Sequence, residues 1–199
     1  MWDERYAQDG YWFGTEPAEF LTRQSQLLRP GLEALVIADG EGRNSVYLAE
    51  RGVETTAFDA SPVAVTKARS LAEARQVEIA FHVADVESWT WEPERYDLVV
   101  AIFIQFLGPR AMATTFEAMQ RTLRPGGRVL LHGYRPEQLA YRTGGPSAVE
   151  NLYTEALCRE AFAGLEIEHL GSYDAEIREG TGHVGRSALL DLVARKPSS

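Results

Sequence analysis

Three turns, each placed where a short apolar run ends, hold the residues of this chain best suited to bind a ligand. The first is Ile37-Ala38-Asp39-Gly40-Glu41-Gly42. Glycine there lets the backbone turn tightly and lets a ligand approach with no Cβ in the way. The helix expected to follow offers free N–H groups and the positive end of its dipole to an anionic group. The second is Asp59, which closes the run Val53–Phe58 at about the offset where nucleoside-binding folds place an acid. An ionised carboxylate only accepts hydrogen bonds, so it can take both hydroxyls of a ribose diol. The third is Asp85, followed by Val86. A carboxylate at that place can accept from an adenine exocyclic amine while the backbone N–H meets a ring nitrogen. Each acid alone reads as a strand-end N-cap or turn residue, and Asp59 is expected at a solvent-facing strand end. Three successive strand ends carrying a glycine turn, an acid and an acid converge on one edge of a sheet, where open α/β folds bind ligands.

The elements that must carry these turns alternate regularly. A helix is expected over Ala18–Leu28, closed by Arg29-Pro30-Gly31. Strands are expected at Leu32–Ala38, Val53–Phe58, Val77–Val83, within Tyr96–Phe106, and at Arg128–His132. Helices are expected at Arg43–Arg51, from Ser61-Pro62 to Ala74, and at Pro109–Leu123, the last ending in Arg124-Pro125-Gly126-Gly127. Ser61 is the N-cap residue and Pro62 the first helical position. Strands separated by helices imply βαβ units and a parallel sheet. The segment 134–154 breaks the pattern, being polar and centred on Gly144-Gly145-Pro146. A helix at Thr154–Phe162 and strands at Leu165–Tyr173 and Ser187–Ala194 then suit a sheet finished by an antiparallel hairpin.

Composition narrows the function classes. The chain has 199 residues, 45% hydrophobic and 25% charged, with a net charge of −9. Its lysines and arginines are scattered, which argues against bulk nucleic acid as partner. No apolar run approaches the ~20 residues that cross a bilayer. The single cysteine, Cys158, suits a reducing compartment, and the N-terminus has no signal-peptide core, so the cytoplasm is the expected setting. The pattern carries no signal for an oligomeric state. Among the histidines, His132 closes the fifth strand beside Gly133-Tyr134, and His183 is expected on a flexible glycine-flanked loop where it can act as a general base. His82 and His169 read as strand residues. Arg43 can pair with a carboxylate or, about equally, form a salt bridge with Glu41 or Asp59. The aromatic N-terminal segment, including Tyr6 and Tyr11, can close over a ligand.

Asp-Gly-Glu-Gly-Arg-Asn at 39–44, Phe-Asp-Ala-Ser at 58–61, Ala-Asp-Val at 84–86 and Leu-Arg-Pro-Gly-Gly at 123–127 together resemble the successive motifs of class I S-adenosylmethionine-dependent methyltransferases. The chain is most similar to the small tellurite-resistance and thiopurine methyltransferase-like group. Trp2-Asp3, Tyr6 through Tyr11, Phe13-Gly14 and Pro17 match that group's N-terminal cap, and Arg178-Glu179-Gly180 with His183 match a tail segment. Two departures stand in the first motif: Val36 replaces an acid that holds the methionine ammonium, and Ala38-Asp39 replaces Gly-Cys. Asp39 is the carboxylate available to substitute.

The resemblance implies a Rossmann-like α/β fold with a seven-stranded mixed sheet, helices on both faces and an antiparallel C-terminal hairpin. It implies one domain over 1–199, with residues 1–30 as cap and 134–154 as an insertion that acts as a lid. The cofactor expected is S-adenosyl-L-methionine, held by Tyr6, Tyr11, Ala38, Asp39, Gly40, Gly42, Asp59, Ala60, Asp85, Val86 and Ile102. The reaction expected is methyl transfer to a small-molecule acceptor, with His132, Tyr134 and His183 lining the acceptor side. Two other readings remain open: a protein that binds the cofactor without catalysis, and a nicotinamide-dependent oxidoreductase. Ser45 completes the oxidoreductase glycine fingerprint only imperfectly, and Asp85 and the Pro-Gly-Gly turn favour the methyltransferase.

Overall fold

A computed structural model describes residues 2–198. Its strands are β1 (Glu33–Ile37), β2 (Glu54–Asp59), β3 (Ala80–Val83), β4 (Tyr96–Ile102), β5 (Leu123–Tyr134), β6 (Glu166–Glu179) and β7 (His183–Arg195). They form one seven-stranded mixed sheet in the order β3-β2-β1-β4-β5-β7-β6. Pairing is parallel for β1–β2, β2–β3 and β4–β5, and antiparallel for β5–β7. The helices are α1 (Trp2–Tyr6), α2 (Glu19–Arg23), α3 (Arg43–Glu50), α4 (Pro62–Ala74), α5 (Pro109–Thr122), α6 (Gln138–Tyr141) and α7 (Glu155–Ala161). None is long and apolar enough to cross a membrane among the described residues.

The described residues form two compact units. The first runs to Thr90 and takes back Glu179–Gly182; the second is Trp91–Arg178 with His183 onward. In the first, the core is the apolar faces of β1 and β2 with α3 and α4. Ser61 caps α4 through its hydroxyl, which accepts from the Ala64 N–H at 3.1 Å, and Pro62 opens the helix, as its type dictates. The tip of α3 is set by Gly42, at φ +93°, where a Cβ would lie 2.8 Å from that of Ala68. Only glycine lets α3 start this close to α4. In the second unit, β4 is buried from Leu98 to Ile102, in keeping with a strand covered on both faces.

Several elements differ from the sequence-based expectation. The first helix breaks after Arg23 into a 3₁₀ turn at Ser25–Leu27. β3 begins only at Ala80, because Gln76 adopts φ +56° and Val77 donates back to Ala72 at 3.0 Å, finishing α4. The Pro-Gly-Gly turn lies inside β5 as an irregularity, since Leu123 pairs with Tyr96 but Arg128 pairs with Leu98. The segment 134–154 contains α6 and a 3₁₀ turn at Val149–Asn151, and both its ends are anchored in the core. Tyr134 and Tyr153 are buried, and the Tyr153 N–H donates to the Tyr134 carbonyl at 2.9 Å. Gln138 fastens the middle, donating to Thr143 Oγ1 and the Gly144 carbonyl and accepting from the Ala188 N–H.

Candidate active site

The first unit gathers its candidate residues at the ends of β1, β2 and β3. Ala38 leaves β1 at φ +48°, a left-handed conformation that glycine would adopt without strain. The Asp59 carboxylate accepts from the Gly40 N–H at 2.8 Å and the Ser61 N–H at 2.9 Å. Its own carbonyl accepts from the Ala84 N–H at 3.0 Å, which ties Ala60 and the Ala84-Asp85-Val86 turn to the same edge. Asp59 is buried rather than solvent-facing, and burial raises its pKa against the lowering effect of the two N–H donors. Tyr6 lies over this turn, its hydroxyl 3.1 Å from where a Gly40 Cβ would stand. Burial and the Asp59, Glu41 and Asp39 carboxylates hold that phenol neutral.

Asp39 is turned inward. Its carboxylate accepts from the Ser45 hydroxyl at 2.5 Å and the Ser45 N–H at 3.2 Å, capping α3 from within. Desolvation pushes its pKa up to about 7, with Ser45 opposing. Asp85 bonds its own turn, accepting from the N–H groups of Glu87 and Ser88 at 3.0 and 2.8 Å, and those bonds lower its pKa. Arg43 pairs with neither Glu41 nor Asp59. It meets Glu179 at 2.8 Å, because the tail returns here, while Glu41 binds Lys67 at 2.9 Å and the Trp12 N–H at 2.7 Å. Tyr11 stays outside the Gly40 cluster: its hydroxyl donates to the Lys67 carbonyl of α4 at 3.4 Å.

The second unit brings together His132 and Tyr134 of β5 and His183 of β7, around Phe103, the residue after Ile102. The Phe103 ring lies 4.8 Å from His132, 4.7 Å from Tyr134 and 4.2 Å from His183. His183 is therefore not on a flexible loop; it opens β7 and is buried, since the aromatic packing holds it. Tyr134 likewise ends a strand, where the Gln105 amide grips its backbone, accepting from its N–H at 2.6 Å and donating to its carbonyl at 2.9 Å. His132 Nδ1 lies 2.6 Å from Asp191 Oδ1.

Residues 34–127 match the methyltransferase-domain family. That match spans just under half of the chain. The fold of the chain recurs in solved structures. One, from work on the conversion of a disulfide bond into a thioacetal group during echinomycin biosynthesis, superposes with TM-score 0.78 at 20% identity, over 98% of this chain and 87% of that one. TehB of Haemophilus influenzae gives 0.72 at 18% identity, over 88% and 61%. The N-methyltransferase NodS of Bradyrhizobium japonicum, in complex with S-adenosyl-L-homocysteine, gives 0.72 at 19%, over 98% and 96%. In sequence, proteins of Mycobacterium tuberculosis and Mycobacterium bovis are 28% identical over 110 residues, 55% of this chain. The chain spans 40% of the length of these curated relatives.

The methyltransferase cofactor is S-adenosyl-L-methionine, and the first cluster fits it. A side chain at position 40 would press on Tyr6, and the Asp59 oxygens keep a second lone pair each beyond their backbone donors. Sequence reasoning missed Asp191, Phe103, Gln105 and Asp3, whose carboxylate accepts from the Ser61 hydroxyl. Asp191 did leave a signal, as the one charge in the apolar run Ala188–Ala194. Phe103 and Gln105 left none, since their roles depend on backbone strain and non-local contact.

Proposed function

We propose that the protein transfers the methyl group of S-adenosylmethionine to a small-molecule acceptor. The observation that carries this reading is the Asp59 carboxylate bonded to the Gly40 N–H, which fixes an acceptor group beside a glycine turn at adjoining strand ends. Asp59 would hold the ribose, the turn after Asp85 the adenine, and the Ala38–Gly40 backbone the amino-acid end. Bound there, the cofactor supplies a sulfonium-activated methyl group. The protein's part is to orient the reactants and keep water out. Tyr6, with Asp3 and the Trp12 backbone fastened to Ser61 and Glu41, would cover the turn, and the 134–154 segment would cover the acceptor side. The small-molecule class is supported by the structural likeness to a protein of echinomycin biosynthesis, and the buried thiol of Cys158 suits a cytoplasmic setting.

S-adenosylhomocysteine should raise the melting temperature by binding the native state, with NAD and NADP silent. Hydrogen exchange in the same samples should slow over residues 2–17 and 134–154. Stabilisation by the nicotinamides alone would replace the methyltransferase reading with the oxidoreductase one, and unchanged exchange would remove the covers.

A further inference from the structure

Within the first unit, one stretch of backbone runs over the glycine turn yet is fastened at few points. Between Tyr6 and Ala18, both buried, no residue is buried. Segments with so few apolar contacts open locally at low cost. The bonds that hold this strap are polar, and they converge on Trp12. The Trp12 N–H donates to the Glu41 carboxylate at 2.7 Å, and Glu41 belongs to the glycine turn itself. The Trp12 carbonyl accepts from the Thr181 N–H at 2.8 Å, the Gly182 N–H at 3.1 Å and the Thr181 hydroxyl at 3.2 Å. Lys67 of α4 steadies the same stretch, its Nζ donating to the Gln8 and Gly10 carbonyls at 2.8 and 2.5 Å.

The two sides of this fastening are unequal. Glu179–Gly182 is pinned to α3 by the Arg43–Glu179 ion pair, in which both side chains are largely buried. Parting a buried pair is costly, so this side stays in place. The strap's own ion pair, Glu16 with Arg75, is solvent-exposed and adds little. The closed contact is tight, for Gly180 and Gly182 leave no room for a Cβ against Trp12, Phe13 and Gly14. Phe13 in turn packs edge-on to Tyr6, with centroids 6.5 Å apart, and the Tyr6 hydroxyl lies over Gly40.

We propose that residues 2–17 lift to let the cofactor in and out, and that Trp12 is the catch that sets how often they do. The peptide groups of this one residue tie the strap to the glycine turn on one side and to Glu179–Gly182 on the other. Opening exchanges the partners of Trp12, and the bond of Asp3 to the Ser61 hydroxyl, for water. Phe13 then leaves Tyr6, and Tyr6 leaves Gly40. With the catch made, a nucleoside on the turn is enclosed, so only the open fraction of molecules takes it up or releases it. The catch bonds protein to protein, so it governs the rates of exchange and leaves affinity nearly as it is. The inference rests on the methyl-transfer reading above, which supplies the ligand.

The test uses the full chain, tritiated S-adenosylhomocysteine and the variant Gly182→Ala. The added Cβ would overlap the Phe13 ring and stand 2.5 Å from Trp12 Nε1, which forces the catch open. Gly182 lies outside the left-handed region, so the change adds no backbone strain of its own. Association and dissociation should both quicken by about tenfold, the scale of one methyl forced into a closed contact, with Kd within about threefold of its native value. Thr181→Val, at an exposed position, removes one of the three donors and should quicken both rates less. Unchanged rates in folded Gly182→Ala would overturn the inference. So would faster dissociation with unchanged association, the mark of a contact rather than a gate. Where Gly182→Ala does not fold, the same outcomes in Thr181→Val decide. Failure of the native protein to bind S-adenosylhomocysteine would defeat the methyl-transfer reading instead. The catch is then read by hydrogen exchange at the Trp12 and Thr181 amides: faster exchange in the variant upholds it, and equal exchange removes it.

Discussion

The two units satisfy their buried carboxylates by different means. In the first, Asp59 accepts from the backbone N–H groups of Gly40 and Ser61, and Asp39 from the backbone and hydroxyl of Ser45. In the second, Asp191 meets two side chains: His132 Nδ1 on the neighbouring strand lies 2.6 Å away, and the Tyr173 hydroxyl on β6 donates to it. Backbone partners make an acid part of a turn, so its loss disturbs both shape and binding. Side-chain partners make an acid part of a packed cluster whose backbone stands without it. The first arrangement suits holding a ligand, the second suits joining neighbouring strands.

The largest effect that sharpens this contrast is expected at Asp59. Asp59→Ala would remove the two charge-assisted bonds proposed to the ribose and loosen the Gly40 turn, so S-adenosylhomocysteine binding should weaken by about 3 kcal/mol. Because the carboxylate is buried and holds two N–H groups, the melting temperature should fall as well. Calorimetry showing full affinity would break the assignment of the first unit to the cofactor.

Asp39 offers an intermediate effect. Its folded pKa of about 7 lies above the unfolded value of 3.8, so the native state binds the extra proton between these values. Stability is therefore greatest below the unfolded pKa and falls as pH rises through the folded one. Asp39→Asn, which keeps an oxygen for the Ser45 N–H, should flatten urea-melt stability between about pH 4 and pH 7. An unchanged slope would mean that Asp39 ionises freely and that its carboxylate is available to a cation.

The smallest effect is expected at Ala38, a left-handed residue at φ +48° in the first unit, as Phe103 is at φ +56° in the second. Ala38→Gly relieves strain of about 1 kcal/mol while giving the unfolded chain more freedom, a net gain near 0.5 kcal/mol in denaturant melts. A loss of stability there would show that the Ala38 methyl packs usefully.

Much of the first unit was legible because its signals are local. Gly40 and Gly42, Asp59 at a strand end, and the Ser61-Pro62 cap each declare themselves within a few residues of chain, through φ requirements and capping chemistry. The alternation of strands and helices likewise foretold the sheet and its antiparallel finish. The errors fall where partners are distant. Arg43 was matched to nearby acids and instead meets Glu179, 136 positions away. Tyr134 and His183 were read as loop residues because a short polar stretch gives no periodic signal, yet packing around Phe103 buries both.

The sequence by itself determined the fold class, the glycine turn and the line of acids at successive strand ends, since hydrophobic period and turn chemistry are encoded residue by residue. Only the tertiary structure decided which carboxylates serve the backbone and which serve side chains. Asp39 turned inward to Ser45, Asp59 went under cover, and Asp191 came opposite His132 through the β5–β7 register. Such pairings depend on strands far apart in the chain meeting at one offset, and one residue of slip would send these side chains to opposite faces.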